Sequence, residues 1–184
     1  MKYNTFIWAG LGAIRRDAFL EAGGFDAGRF PDASIEDVEL GRRVAARGRR
    51  IVLDGELQGT HLKAWSVGEM IRTDVMRRGV PWVALLARER ALPAELNLSW
   101  RHRAGAALSV AAVAAALARR PGTAVAALAG LVALNGSFYR LLARRRGVGE
   151  AVAGVGLHVV HHLSSVAAVP LGTAAHLAAR DERE

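Results

Sequence analysis

Two adjacent carboxylates, Glu36 and Asp37, stand in the stretch SIEDVELGRR that runs from Ser34 to Arg43. Acids in the first turn of a helix are stabilised by its unsatisfied N–H groups. Facing a cleft, the same pair can take a proton from a hydroxyl during group transfer. A second set of groups lies far along the chain. His158, His161 and His162 occupy positions i, i+3 and i+4, so a helix presents them on one face. That spacing suits either metal binding or polar packing between helices, and ionisable groups inside an apolar helix merit suspicion of function. Glu150 lies about two turns away, and no cysteine exists to complete a thiolate site.

The elements around the carboxylate pair follow from local chemistry. Thr5 to Ile14 reads as a strand, and Asp17 to Ala22 as a short helix stopped by Gly23-Gly24. Ser34 can cap a helix through Ala46, with Gly48 as its stop and Arg42 and Arg43 at its negative end. On that helix Ile35, Val38 and Ala45 face a core with Leu40 and Val44 beside them, while Glu36, Asp37 and Arg43 point elsewhere. Ile51 to Leu53 and Leu57 to Thr60 are short strand candidates about the turn Asp54-Gly55. Two strands and two helices bury too little apolar surface to be comfortable alone.

In order, WAGLGAIRRDAFLEAGGFD, EDVELGRRVAARG and RRIVLDGELQGTH resemble the acceptor-side half of family 2 glycosyltransferases. These are inverting sugar-nucleotide enzymes of GT-A fold, and the resemblance covers about Ile7 to Trp82. It implies an α/β fold (a partial GT-A domain), with Asp37 as catalytic base and Glu36 assisting or binding acceptor. It implies a nucleotide-sugar donor, a divalent cation (Mg or Mn) and a lipid-linked or membrane-proximal acceptor. The metal ligands, including an Asp-x-Asp motif, are expected upstream of this chain, so the chain reads as lacking its nucleotide-binding half. His61, in GTHLKAW, is then a possible metal or pyrophosphate ligand or a hydrogen-bonded wall residue, and Lys63 a possible phosphate contact. RRGVPW is similar to a degenerate Gln-x-x-Arg-Trp element of the membrane-embedded members. Arg77 or Arg78 would face phosphate and Trp82 would stack. The glutamine is absent and the Arg-to-Trp spacing is longer.

The same stretch has a plainer interpretation. Trp65 to Arg90 carries apolar stripes and five arginines, as an interfacial amphipathic helix does, with Pro81 breaking or starting a helix. From Ala104 to Ala118, Thr123 to Tyr139 and Val148 to Ala179 the chain is nearly free of charge. A bilayer core of about 30 Å calls for ~20 helical residues, which predicts two or three transmembrane helices. The alternative for this region is a soluble Ala-rich bundle. The expected organisation is therefore 1–64 as the transferase-like part, 65–103 as interfacial helices and linker, and 104–184 as a helical membrane region. A cytoplasmic catalytic side is implied by the resemblance, since arginines bracket every break and the positive-inside rule does not orient the chain.

A net charge of +8 raises the question of nucleic acid. The arginines are scattered in pairs, and no finger, zipper or aromatic RNA-binding signature accompanies them, so anionic lipid or phosphate is the better partner class. Two functions of different kind follow. One is the C-terminal portion of a membrane glycosyltransferase; the other is an inactive membrane scaffold or remnant that binds no nucleotide sugar.

Overall fold

A computed structural model of the chain describes residues 2–60, 62, 64–90 and 98–181. It separates into two compact units, Met1–Ser66 and Val67–Glu184. The segments 65–66 apart, the expected regions 65–103 and 104–184 fall together in the second unit.

The expected α/β architecture does not form. The described residues are predominantly helical. Their strand pairing is one antiparallel ribbon of three residues a side, β1 (Lys2–Asn4) with β2 (Ile51–Leu53), in which Tyr3 pairs with Val52. That ribbon is not a GT-A sheet, so the partial GT-A domain is withdrawn. Thr5 to Ile14 is irregular rather than a strand: Leu11 N–H donates to the Trp8 carbonyl at 3.3 Å and folds the segment on itself. Leu57 to Thr60 is likewise irregular, and a strand without a partner ladder has nothing to hold it.

In the first unit α1 spans Arg16–Glu21. It ends where Gly23 and Gly24 take positive φ, 84° and 65°, and the Gly24 N–H returns to the Phe19 carbonyl at 2.9 Å. The main helix, α2, spans Glu36–Ala46. Ile35 rather than Ser34 is its N-cap, and no side chain caps it. The reason is local: the Glu36 carboxylate turns back and accepts the Ser34 backbone N–H at 2.6 Å. Gly48 closes the other end at φ 74°. Leu40, Val44 and Ala22 form the core, with Ile7, Phe19 and Ile51 packed against it. Val38 and Ala45, expected inward, are half-buried because the buried stripe centres on Leu40 and Val44. Gly41 belongs to that stripe for a steric reason. A Cβ there would lie 2.5 Å from Phe6 Cα and Ile7 N, so only glycine admits this backbone crossing.

The second unit begins with three continuous helical pieces: α3 (Val67–Arg72), a π-helix (Thr73–Gly79) and α4 (Val80–Glu89). Pro81 is the second residue of α4, directly after the π-helix, and the helical run continues through it. Then follow α5 (Trp100–Leu117), α6 (Pro121–Leu134), α7 (Gly136–Arg146) and the 34-residue α8 (Val148–Asp181). Arg101 Nη2 donates to the Leu134 carbonyl at 2.8 Å and so satisfies the C-terminal end of α6. Close approaches at small residues dock α8. A Cβ on Gly79 would lie 2.4 Å from Ala168 Cβ, one on Gly172 2.6 Å from Val83 Cβ, and one on Gly154 2.7 Å from Leu142 Cδ2.

Among the described residues one helix, Val148–Arg180, is by itself long and apolar enough to cross a membrane. The expectation of two or three transmembrane helices is corrected accordingly. α6 and α7 meet the same test only as a pair bent by 79°. The bend falls at Asn135, between two helices that the sequence reading had merged.

Candidate functional site

The carboxylates that opened the sequence sit in the first turn of α2, both half-buried. Asp37 heads the buried stripe, three residues before Leu40, rather than pointing away from it. Its Oδ2 accepts the Ala9 N–H at 3.0 Å and its Oδ1 the Val38 N–H at 2.8 Å. Two backbone donors therefore fix the plane of the carboxylate, and each oxygen keeps lone-pair capacity for a further proton donor. Glu36 is engaged with Ser34 as described, so the two acids face different donors.

A third acid, Glu39, is the buried one at 5% exposure, and the sequence reading did not single it out. Arg43 grips it: Nε donates to Oε1 at 2.7 Å and Nη2 to Oε2 at 2.6 Å. Arg29 Nη1 approaches Oε1 at 3.6 Å. Arg43 also donates through Nη1 to the Ala22 carbonyl and through Nη2 to the Gly24 carbonyl at 2.7 Å. One guanidinium thus ties the Gly-Gly-Phe-Asp turn to α2, and hydrogen bonding to Glu39 raises its already high pKa further. Arg43 thus stands half-buried in the last turn of α2, with its guanidinium turned onto Glu39 and the turn. The readable signal was the Glu-to-Arg spacing of four within ELGRR.

A cavity of about 750 Å³ opens beside this helix, lined mainly by apolar groups such as Ile7, Trp8, Leu11 and Leu53, with Arg15 and Arg49 also in its wall. Glu36 and Asp37 do not line it. The one carboxylate in the cavity wall is that of Asp54. Arg15 and Arg49 are engaged with acids: Arg15 Nε and Nη2 each lie 3.0 Å from Asp17, and Arg49 Nη2 lies 2.7 Å from Glu21. The Arg15 hydrogen bonds, helped by the Ala18 N–H, hold the Asp17 carboxyl below its usual range.

Of the remaining candidates, His61 and Lys63 lie outside the described residues. Arg77 and Arg78 are on the π-helix and exposed. Trp82 is 6% exposed, buried on α4 as Leu85 and Leu86 are.

The histidines gather within the second unit. His161 Nδ1 lies 2.7 Å from Oδ2 of Asp74, a π-helix residue that is 9% exposed. Asp74 Oδ1 in turn lies 3.4 Å from Arg78 Nη1. His158 accepts or donates to the Tyr139 hydroxyl at 2.7 Å through Nδ1 and stacks on His162 at 4.5 Å between ring centres. His102 joins from α5, 6.3 Å from His162 and hydrogen-bonded to Ser99 Oγ at 2.8 Å. His162 Nε2 is buried against Gly105 and has no hydrogen-bond partner among the described residues. Among the described residues no three His, Cys, Asp or Glu side chains are grouped to hold a metal ion.

Neither the protein-family models, the curated proteins nor the solved structures gave a match to this chain.

Proposed function

We propose that this chain is the acceptor-side, membrane-associated portion of an inverting glycosyltransferase that moves a sugar from a nucleotide-sugar donor to an acceptor hydroxyl. Asp37 is its general base. The acceptor oxygen bonds to the anomeric carbon, the carbon–oxygen bond to the leaving diphosphate breaks, and the hydroxyl proton passes to the carboxylate. The single observation that supports this reading is the setting of Asp37: a half-buried carboxylate, fixed by the Ala9 and Val38 N–H groups, within the very segment that resembles the family. The reading rests on that local segment and not on a GT-A fold.

Arg77 and Arg78 are this chain's candidates for contacting phosphate. The protein is held in the membrane by α8, with α6 and α7 as a second, bent segment, and the transferase-like region works on the cytoplasmic side, where nucleotide sugars are made. The competing reading, an inactive membrane scaffold, is favoured by the predominantly helical make-up.

The test is sugar transfer by membranes containing the protein as it is encoded in its natural context, supplied with a panel of nucleotide sugars. Asp37→Asn is expected to lower kcat by about 10²–10⁴-fold, the usual contribution of a general base, with donor binding retained. Unchanged turnover rejects the assignment of Asp37. Absence of transfer from every donor, in a protein that stays folded, leaves the scaffold reading.

A further inference from the structure

Imidazoles from two helices meet where α5 packs on α8. His158, His161 and His162 come from α8, and His102 from α5. His162 stacks on His158 at 4.5 Å between ring centres and stands edge-on to His102 at 6.3 Å. It is 3% exposed, and a Cβ on Gly105 would lie 2.6 Å from its Nε2. No acceptor among the described residues reaches that nitrogen. Ser109, one turn along α5, is already turned to the Gly105 carbonyl at 2.8 Å.

A neutral imidazole tolerates this setting, because Nε2 can be the ring nitrogen that carries a bare lone pair. An imidazolium does not. Both of its nitrogens carry hydrogen, so protonation places an N–H without an acceptor against Gly105, and a buried donor left unmade is costly. The new charge also stands beside rings that take protons in the same pH range.

The packed elements offer little to offset it. The π-helix supplies Asp74, whose Oδ2 is engaged by His161 Nδ1 at 2.7 Å and whose Oδ1 lies 3.4 Å from Arg78. From α7 come Tyr139, bonded to His158, and Arg140, bonded to the Gly136 carbonyl. Beside His102, α5 carries Arg101 and Arg103, and α3 carries Glu69 and Arg72, all exposed. The α4 helix meets α8 further along, Val83 at Gly172, with Arg88 and Glu89 beyond that contact. On α8 itself the nearest acid is Glu150, three turns before His162 and exposed, and His176 follows four turns after. Burial lowers the His102 pKa from its ordinary 6.5, and His161 and Arg101 lower it further. Docking therefore loses the His102 contribution as pH falls below about 6.5.

We infer that the seating of His162 on Gly105 is a pH-operated latch: α5 stays docked on α8 while His162 is neutral and separates from it when His162 takes a proton. Falling pH favours whichever arrangement solvates the imidazolium better, and that is the separated one. His161 differs from the other three, because a proton on it is met by the Asp74 carboxylate. The π-helix thus keeps its hold on α8 while α5 leaves.

The chain has no cysteine, so spin labels can be placed at Ala107→Cys on α5 and Val166→Cys on α8, both exposed positions. Double electron–electron resonance on the full chain in phosphatidylcholine nanodiscs then reads the gap between the helices, with circular dichroism following helicity. The expected result is one short distance at about pH 7.5, replaced at about pH 5 by a longer one, with helicity unchanged and the short distance restored on neutralisation. His162→Gln stays uncharged and should keep the short distance at both pH values. His102→Gln removes one repelling charge and should lower the midpoint by roughly 0.5–2 pH units, as expected for charges about 6 Å apart. If His162→Gln does not fold, His102→Gln carries the test, and an unmoved midpoint overturns the latch. An unchanged distance in the parent, or opening of His162→Gln at the parent's pH, also overturns it. So does separation accompanied by loss of helicity, which marks general acid unfolding.

Discussion

Glu39 and Arg43 show how much one buried ion pair can be asked to hold. The pair is satisfied on nearly every side, by each other, by Arg29 and by the carbonyls of Ala22 and Gly24. Removing one member strands the other, which costs about 3 kcal/mol, the low end for buried pairs because the Arg43 side chain is 27% exposed. Arg43→Met is therefore expected to lower hydrogen-exchange protection of the α2 amides by roughly that amount, and Arg43→Lys to recover little, since one ammonium cannot serve a carboxylate and two carbonyls in the same planar geometry. Unchanged protection would count against the clamp. Asp17 offers a pH-dependent counterpart. Its carboxyl is held below the ordinary value of 3.8 by Arg15, so its contribution is present above that value and is lost as pH falls through the lower, folded-state value. Arg15→Gln should move the acid-induced loss of α1 protection to higher pH; coincident acid profiles for the two proteins would refute this. At this scale the sequence was partly readable. The types and spacing of Glu36, Asp37, Glu39 and Arg43 were visible, but which acid is buried depends on where the Ala22–Gly24 turn lands, and that is a tertiary fact.

Elements were legible where punctuation was strong. Gly23-Gly24 and Gly48 stop α1 and α2 as their left-handed conformations require, and these ends were readable from glycine alone. Thr5 to Ile14 was misread because an apolar, β-prone run becomes a strand only when a partner strand is present, and here the partner pairing goes to Lys2–Asn4. The π-helix had no readable signal, since its extra residue per turn is imposed by packing on α8 rather than by residue type. That packing predicts a contrast between two glycines of α8. Gly172 faces Val83 at a separation that a methyl group cannot enter, while a Cβ on Gly156 would meet nothing within 4 Å. Gly172→Ala should destabilise the second unit by about 1–3 kcal/mol through overpacking. Gly156→Ala should be neutral or stabilise it by up to about 1 kcal/mol. Thermal unfolding of the two variants in the same detergent decides the matter, and equal melting temperatures would exclude the packed seam.

For the molecule as a whole, α8 is the feature with the clearest physical consequence. Its 33 residues from Val148 to Arg180, with an apolar 18-residue window inside them, have ample length for a hydrocarbon core of about 30 Å. The chain should remain with the membrane pellet after an alkaline carbonate wash, and its release into the supernatant would reject a spanning role for α8. Hydropathy made this helix legible in the sequence. It did not reveal that the preceding apolar stretch is broken at Asn135, because a 79° bend depends on how the second segment packs and not on its apolar content. The α/β expectation failed for a related reason: the residues around Glu36–Asp37 specify α2 and its turn, while a sheet needs several strands in register and among the described residues three a side are paired.

The burial of Trp82 gives this protein an optical handle. Of its four tryptophans, Trp8, Trp65 and Trp100 are 55%, 43% and 77% exposed, and Trp82 alone is enclosed, at 6%. With the other three replaced by phenylalanine, emission would come from an indole within α4, next to the seam where Gly172 meets Val83. A blue-shifted band shielded from iodide would then report docking of that seam, and a red shift would time its opening in a single cuvette.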